Sequence, residues 1–188
     1  MKRNRTIQAG LGLAFAGLLG LAQPVVAQEG ARRPDAVIQR DAERAILGYT
    51  HYGVFDAVGV AVQDGQATLV GSVYQPYRKD DIERRVAKVA GVKTVNNEIE
   101  VQPLSFNDDR IRAELVRAIY GRGVLVNPSL AAPPVRIVVA NGRITLLGYV
   151  NSDVERQRVG HIARSTLSFG VDNQVKLESE RESDRKSD

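Results

Sequence analysis

Apolar residues in this chain recur first at helical and then at strand spacing, and the whole series is written twice. Ile38, Ala42, Ala45, Ile46 and Tyr49 fall on one face of an amphipathic helix, and Asp35 supplies an N-terminal cap or first-turn acid. Ile111, Leu115, Ala118 and Ile119 repeat that spacing behind Asn107, Asp108 and Asp109. An apolar strand follows each helix, Val58-Gly59-Val60-Ala61-Val62 in the first case and Val135-Arg136-Ile137-Val138-Val139 in the second. Asp64-Gly65 and Asn141-Gly142 then predict tight hairpins, because both central residues of a type I′ turn need positive φ. Returning strands run to Val73 and Val150. Second helices bury Ile82, Val86, Val89 and Ala90, or Val159, Ile162, Ala163 and Thr166. Pro76 suits a first helical turn, and Ser152-Asp153-Val154-Glu155 reads as a capping box. Alternating strands from Val95 to Val101 and from Val171 to Leu177 close each series.

The repetition extends to the residues themselves. Gly65-Gln66-Ala67-Thr68-Leu69-Val70-Gly71-Ser72-Val73 returns as Gly142-Arg143-Ile144-Thr145-Leu146-Leu147-Gly148-Tyr149-Val150. Val95-Asn96-Asn97-Glu98-Ile99-Glu100-Val101 returns as Val171-Asp172-Asn173-Gln174-Val175-Lys176-Leu177. The expected fold class is therefore α+β, as two tandem αββαβ domains, each a three-stranded sheet with two helices on one face. Gly65, Gly71, Gly142 and Gly148 read as structural glycines of the hairpins and of bulges or close approaches inside strands.

The chain ends modify this picture. Lys2, Arg3 and Arg5 precede an apolar run from Ala9 to Ala22, and Val25-Val26-Ala27 offers small residues for cleavage. Residues 1–27 are thus expected to be a signal peptide that exports the protein. Residues 28–34 and 103–107 read as linkers, 35–102 and 108–178 as the two domains, and 179–188 as a disordered polar tail. The chain has 26 Lys and Arg against 22 Asp and Glu. Loss of the leader takes three bases and no acid, so 23 basic residues face 22 acidic ones. So balanced a domain pair gives little ground for nucleic-acid binding. With no Cys, disulfides, catalytic thiols, thiolate metal sites and lipoprotein attachment are excluded.

The pattern resembles the BON domain: a helix, a strand ending in Asp/Asn-Gly, a T-L-x-G-x-V strand, a second helix and a closing G-V-x-x-V-x-N-x-I/V-x-V segment. Gly91-Val92-Lys93-Thr94-Val95-Asn96-Asn97 carries that last segment in the first copy, whereas Leu167-Ser168-Phe169-Gly170 departs from it in the second. The resemblance implies a non-enzymatic periplasmic protein, without cofactor, that associates with phospholipid surfaces and supports envelope integrity under osmotic stress. A protein–protein adaptor or holdase-like stress protein acting on envelope partners is the alternative.

No catalytic constellation is visible. His51 and His161 occupy non-equivalent places, and there is no phosphate loop or nucleophile elbow. Asp80/Asp81 and Asp108/Asp109 are accounted for as helix-start acids. The candidate lipid surface lies on the first helix of the second copy and the loop behind it. Arg112, Arg117 and Arg122 would meet anionic head groups beside Tyr120, while Val124, Leu125 and Leu130 enter the acyl boundary.

Overall fold

A computed structural model describes residues 33–121, 123–126 and 128–187, the last four in backbone only. The expected signal peptide and most of the first linker lie outside the described residues. Arg32–Asp188 forms one compact unit.

The first repeat runs α1 (Asp35–Leu47), β1 (Ala57–Gln63), β2 (Gln66–Val73), α2 (Pro76–Val86) and β3 (Thr94–Val101). The second runs α3 (Phe106–Tyr120), β4 (Val135–Ala140), β5 (Arg143–Val150), α4 (Asp153–Ser165) and β6 (Gly170–Leu177). Each sheet has three strands in chain order, with the first pair antiparallel and the second parallel. A parallel pair cannot be joined by a hairpin, so α2 and α4 are the crossovers that the topology demands. The hairpins turn as their residues dictate: φ is 54° and 80° at Asp64 and Gly65, and 52° and 72° at Asn141 and Gly142.

One face of each sheet carries the helices. Ala67, Leu69 and Val73 of β2 meet Ala42 and Ile46 of α1 and Ile82 and Val86 of α2 in the first core. Ile144, Leu146 and Val150 meet Ile111, Leu115 and Ile119 of α3 and Val159 of α4 in the second. Each Val, Leu or Ile side chain among them contributes about 1.5–3 kcal/mol when fully buried. The two in-strand glycines mark a close approach of strand to strand. At Gly71 (φ 113°) a Cβ would stand 2.1 Å from the Ala57 carbonyl oxygen, and at Gly148 (φ 122°) 2.0 Å from that of Pro134.

The acids at the starts of α1 and α3 cap distant backbone. The Asp35 carboxylate accepts from the amides of Asp64 (2.6 Å) and Gly65 (3.2 Å). Asp108 does the same for Asn141 (2.9 Å) and Gly142 (2.7 Å), while Ser105 caps α3 itself. Each helix start is thereby tied to its own hairpin.

The repeats meet through the segment before β1. The Ile137 amide on β4 donates to the Val54 carbonyl at 2.8 Å, and Val54 and Phe55 pack against the second core. Arg136 donates to the carbonyls of Gly53 and Asp56 and lies 4.2 Å from the Tyr52 ring centroid. Gln102 donates to the Phe55 carbonyl at 2.7 Å and accepts from Arg112 at 3.0 Å.

The polar tail differs from the expectation of disorder: Glu178–Ser187 is a helix, α5. Arg181 pairs with Glu178 one turn away and lies 5.1 Å from the Tyr149 ring centroid. Glu180 approaches Arg156 at 3.7 Å and accepts from the Leu177 amide. Composition argued for disorder because the segment has almost no apolar side chain; contacts to the outer face of β5 and to α4 supply what its own sequence lacks.

Candidate functional site

The expected lipid surface divides when the side chains are placed. Arg112 is 2% exposed and sits among polar acceptors. It donates to the Val139 carbonyl, to Gln102 and to Asp109, and it stacks 4.8 Å from the Tyr74 ring centroid. It is therefore a structural cation at the joint between the repeats and cannot meet a head group. Tyr120 also turns inward. Its hydroxyl donates to the Val135 carbonyl, and burial, the main cause, pushes its pKa up to about 12. Leu125 is buried in the second core. Arg117 remains exposed, as does Leu130, while Arg122 lies outside the described residues.

Val124 leads to a different site. It lines an open cleft of about 470 Å³ with Gln157, Arg158, His161, Ile162 and Arg164 of α4. The helix places these groups by its period. Glu155, Val159, Gly160 and Ala163 face inward, so Arg158, His161 and Arg164 stand on the outer side. Gly160 leaves room for the Asn173 side chain of β6, since a Cβ there would stand 2.7 Å from its Nδ2. Glu155 anchors the cleft loop by accepting from the Val126 amide at 2.7 Å, and it accepts from the Asn151 amide at 2.8 Å. The box expected at the start of α4 is thus only half formed in the usual way. Ser152 accepts from the Glu155 amide, but the Glu155 side chain is spent on Asn151 and the loop.

Among the described residues, Arg158, His161 and Arg164 make no ion pair. Val124 and Ile162 give the cleft an apolar lining beside the two arginines and His161. A phosphate bearing an apolar tail fits such a combination; a purely polar anion would leave the apolar part unused. Sequence reasoning discounted His161 and passed over Arg158 and Arg164. The signal for Arg158 was available in the repeat itself, because the matching positions 80 and 81 on α2 are both Asp where α4 has Gln157 and Arg158.

No described helix is long and apolar enough to cross a membrane. No curated protein matches the chain. Two solved structures of CdsD, a structural protein of the type III secretion system of Chlamydia trachomatis, are similar to it. One, of the C-terminal domain, has 15% identity and a TM-score of 0.30, and covers 77% of this chain and 98% of that one. The other has 18% identity and a TM-score of 0.28, and covers 80% and 98%. The BON domain family model matches residues 34–103 and again 107–179. With the doubled α+β architecture and both hairpins in place, the chain belongs to the BON domain family, and carries that domain twice in tandem.

Proposed function

We propose that this protein is an exported, non-enzymatic periplasmic component that binds anionic phospholipid surfaces and supports envelope integrity under osmotic stress. Phospholipid and membrane association is the general property of BON domains. The observation that carries the reading in this chain is the outer face of α4, where Arg158, His161 and Arg164 make no ion pair among the described residues and line a cleft with Val124 and Ile162. Each basic residue near an anionic bilayer contributes about 1 kcal/mol. Two of them account for roughly a thirty-fold change in partitioning.

The test is co-sedimentation of the chain from residue 28 with vesicles containing phosphatidylglycerol, at low and at high salt. Binding is expected at low salt and should weaken as salt screens the head groups. Arg158→Asp combined with Arg164→Asp should lower it by more than about thirty-fold, since the reversal adds repulsion to the lost attraction. Absence of sedimentation at low salt with lipid in excess would overturn the reading. Arg112 is unsuited to such a test, because its loss would damage the fold.

A further inference from the structure

The repeats also differ at the end where helix start, hairpin and closing turn meet. In the second repeat a chain of hydrogen bonds gathers three segments there. Ser105 accepts from the Asp108 amide, Asp108 accepts from the Asn141 and Gly142 amides, and the Gly142 carbonyl accepts from the Phe169 amide at 2.8 Å. The side chains brought to this end are unusually exposed for their type. Leu104 is 89% exposed, Phe106 99%, Leu167 78% and Phe169 79%.

The first repeat uses the same backbone with other side chains. Lys93 donates to the Gly65 carbonyl at 2.8 Å, as Phe169 does to Gly142. Arg33 precedes Asp35 by the two residues that separate Phe106 from Asp108, and Gly91 precedes Lys93 as Leu167 precedes Phe169. The backbone therefore does not require apolar groups at these positions. A phenylalanine can bury about 150–250 Å² of surface, so two of them with two leucines exceed the scattered apolar exposure of an ordinary surface.

We propose that this end of the second repeat is a wedge that enters the acyl boundary of an anionic membrane; the inference rests on the lipid-binding reading above. Charge identifies the occupant. Arg143, which pairs with Gly170 across the sheet, and Arg164, in the last turn of α4, flank the wedge and make no ion pair among the described residues. Of the exposed acids three residues from a wedge phenylalanine, Asp172 is engaged by Gln174 and Asp109 by Arg112. A cationic rim around apolar tips favours an anionic bilayer over a second copy of the same cationic face. The arginines would remain with the phosphates while Phe106 and Phe169 pass below them.

The chain contains no Trp, so one can be placed as a sole reporter. Phe106→Trp, Phe169→Trp and, beyond the far end of α3, Leu130→Trp would each be mixed with phosphatidylglycerol vesicles carrying brominated acyl chains. The reporters at 106 and 169 are expected to shift to the blue and lose most of their emission, and the one at 130 to lose much less. Phe106→Asp with Phe169→Asp should weaken vesicle binding roughly tenfold or more with the melting temperature unchanged. Sedimentation of all three Trp variants with quenching confined to 130, or with none, would overturn the wedge and leave lipid binding intact. Failure to sediment would remove both. A concentration-dependent dimer dissolved by the double Asp variant would assign the wedge to a second copy and overturn the proposal.

Discussion

The second helix of each repeat packs on the same backbone, and the two outer faces arrange their charges differently. On α2, Asp81 pairs with Arg84 and accepts from the Tyr49 hydroxyl, whose hydrogen bond is the main cause holding the Asp81 carboxyl below its ordinary range. On α4 the matching position is Arg158, which makes no ion pair among the described residues; Glu155, one turn before it, is engaged by the Val126 and Asn151 amides. The inner side shows a second exchange. The amide just after β2, at Tyr74, finds the buried carboxylate of Asp56, which also pairs with Arg78 on α2. The equivalent amide at Asn151 finds Glu155, which stands where Arg78 stood, while Pro133 replaces Asp56. One backbone donor needs an acceptor in both copies, and either the loop or the helix can supply it. Repeats that share a fold thus preserve the demand and exchange the supplier, whereas the solvent face is free to rearrange its charges.

Mutation can press this comparison from the shared features to the divergent ones. Gly71→Ala and Gly148→Ala should each cost more than about 3 kcal/mol, because both combine positive φ with a carbonyl at clashing distance. Denaturant midpoints should fall alike; a tolerant Gly71 with an intolerant Gly148 would break the equivalence. Arg112→Ala should cost about 3 kcal/mol by leaving buried acceptors unpaired. Gln39→Ala, the matching position on α1, should cost only about 1 kcal/mol, the worth of one bond to the Val62 amide. Arg158→Asp with Arg164→Asp should change stability by less than about 0.5 kcal/mol while reducing vesicle binding.

The smallest effect at neutral pH becomes visible in alkali. Tyr49 is raised to about 12, first by desolvation and then by its bond to Asp81, and Tyr120 is raised to about 12 by burial. A raised folded pKa favours the protonated form. The contribution is therefore complete below about pH 10 and fades as pH climbs toward 12. Absorbance titration near 295 nm should show a late-ionising set of tyrosines, diminished in Tyr49→Phe and in Tyr120→Phe. Stability profiles of both variants should be flatter than the parent's between those pH values.

Much of this architecture was legible in periodicity alone. Asp-Gly and Asn-Gly fixed the hairpins, and the 3.6-residue stripes placed the helices, since both signals are local. Arg112 was misread because residue type outweighed position. It precedes Leu115 by three residues and Ile119 by seven, so it lies on the buried stripe, where Gln102 and the Val139 carbonyl from distant segments make a cation tolerable. No local pattern announces partners supplied by another repeat. The α4 face was readable only by subtraction, from what Asp80 and Asp81 do on α2. The tail misled in the opposite sense, because its helix leans on Tyr149 and Arg156, which composition does not reveal.

The amide of Ile137 hydrogen-bonded to the Val54 carbonyl bears on how the molecule comes apart. Phe55 completes a core to which its own repeat contributes nothing else but Val54, and Arg112 needs Gln102 from across the joint. Separation at the link would expose an apolar loop on one side and leave a strand edge and a charged group unsatisfied on the other. The repeated unit is one domain, but these contacts across the joint predict that the two unfold together. Melting should follow a single transition, with a denaturant dependence set by the whole of Arg32–Asp188 and not by either half.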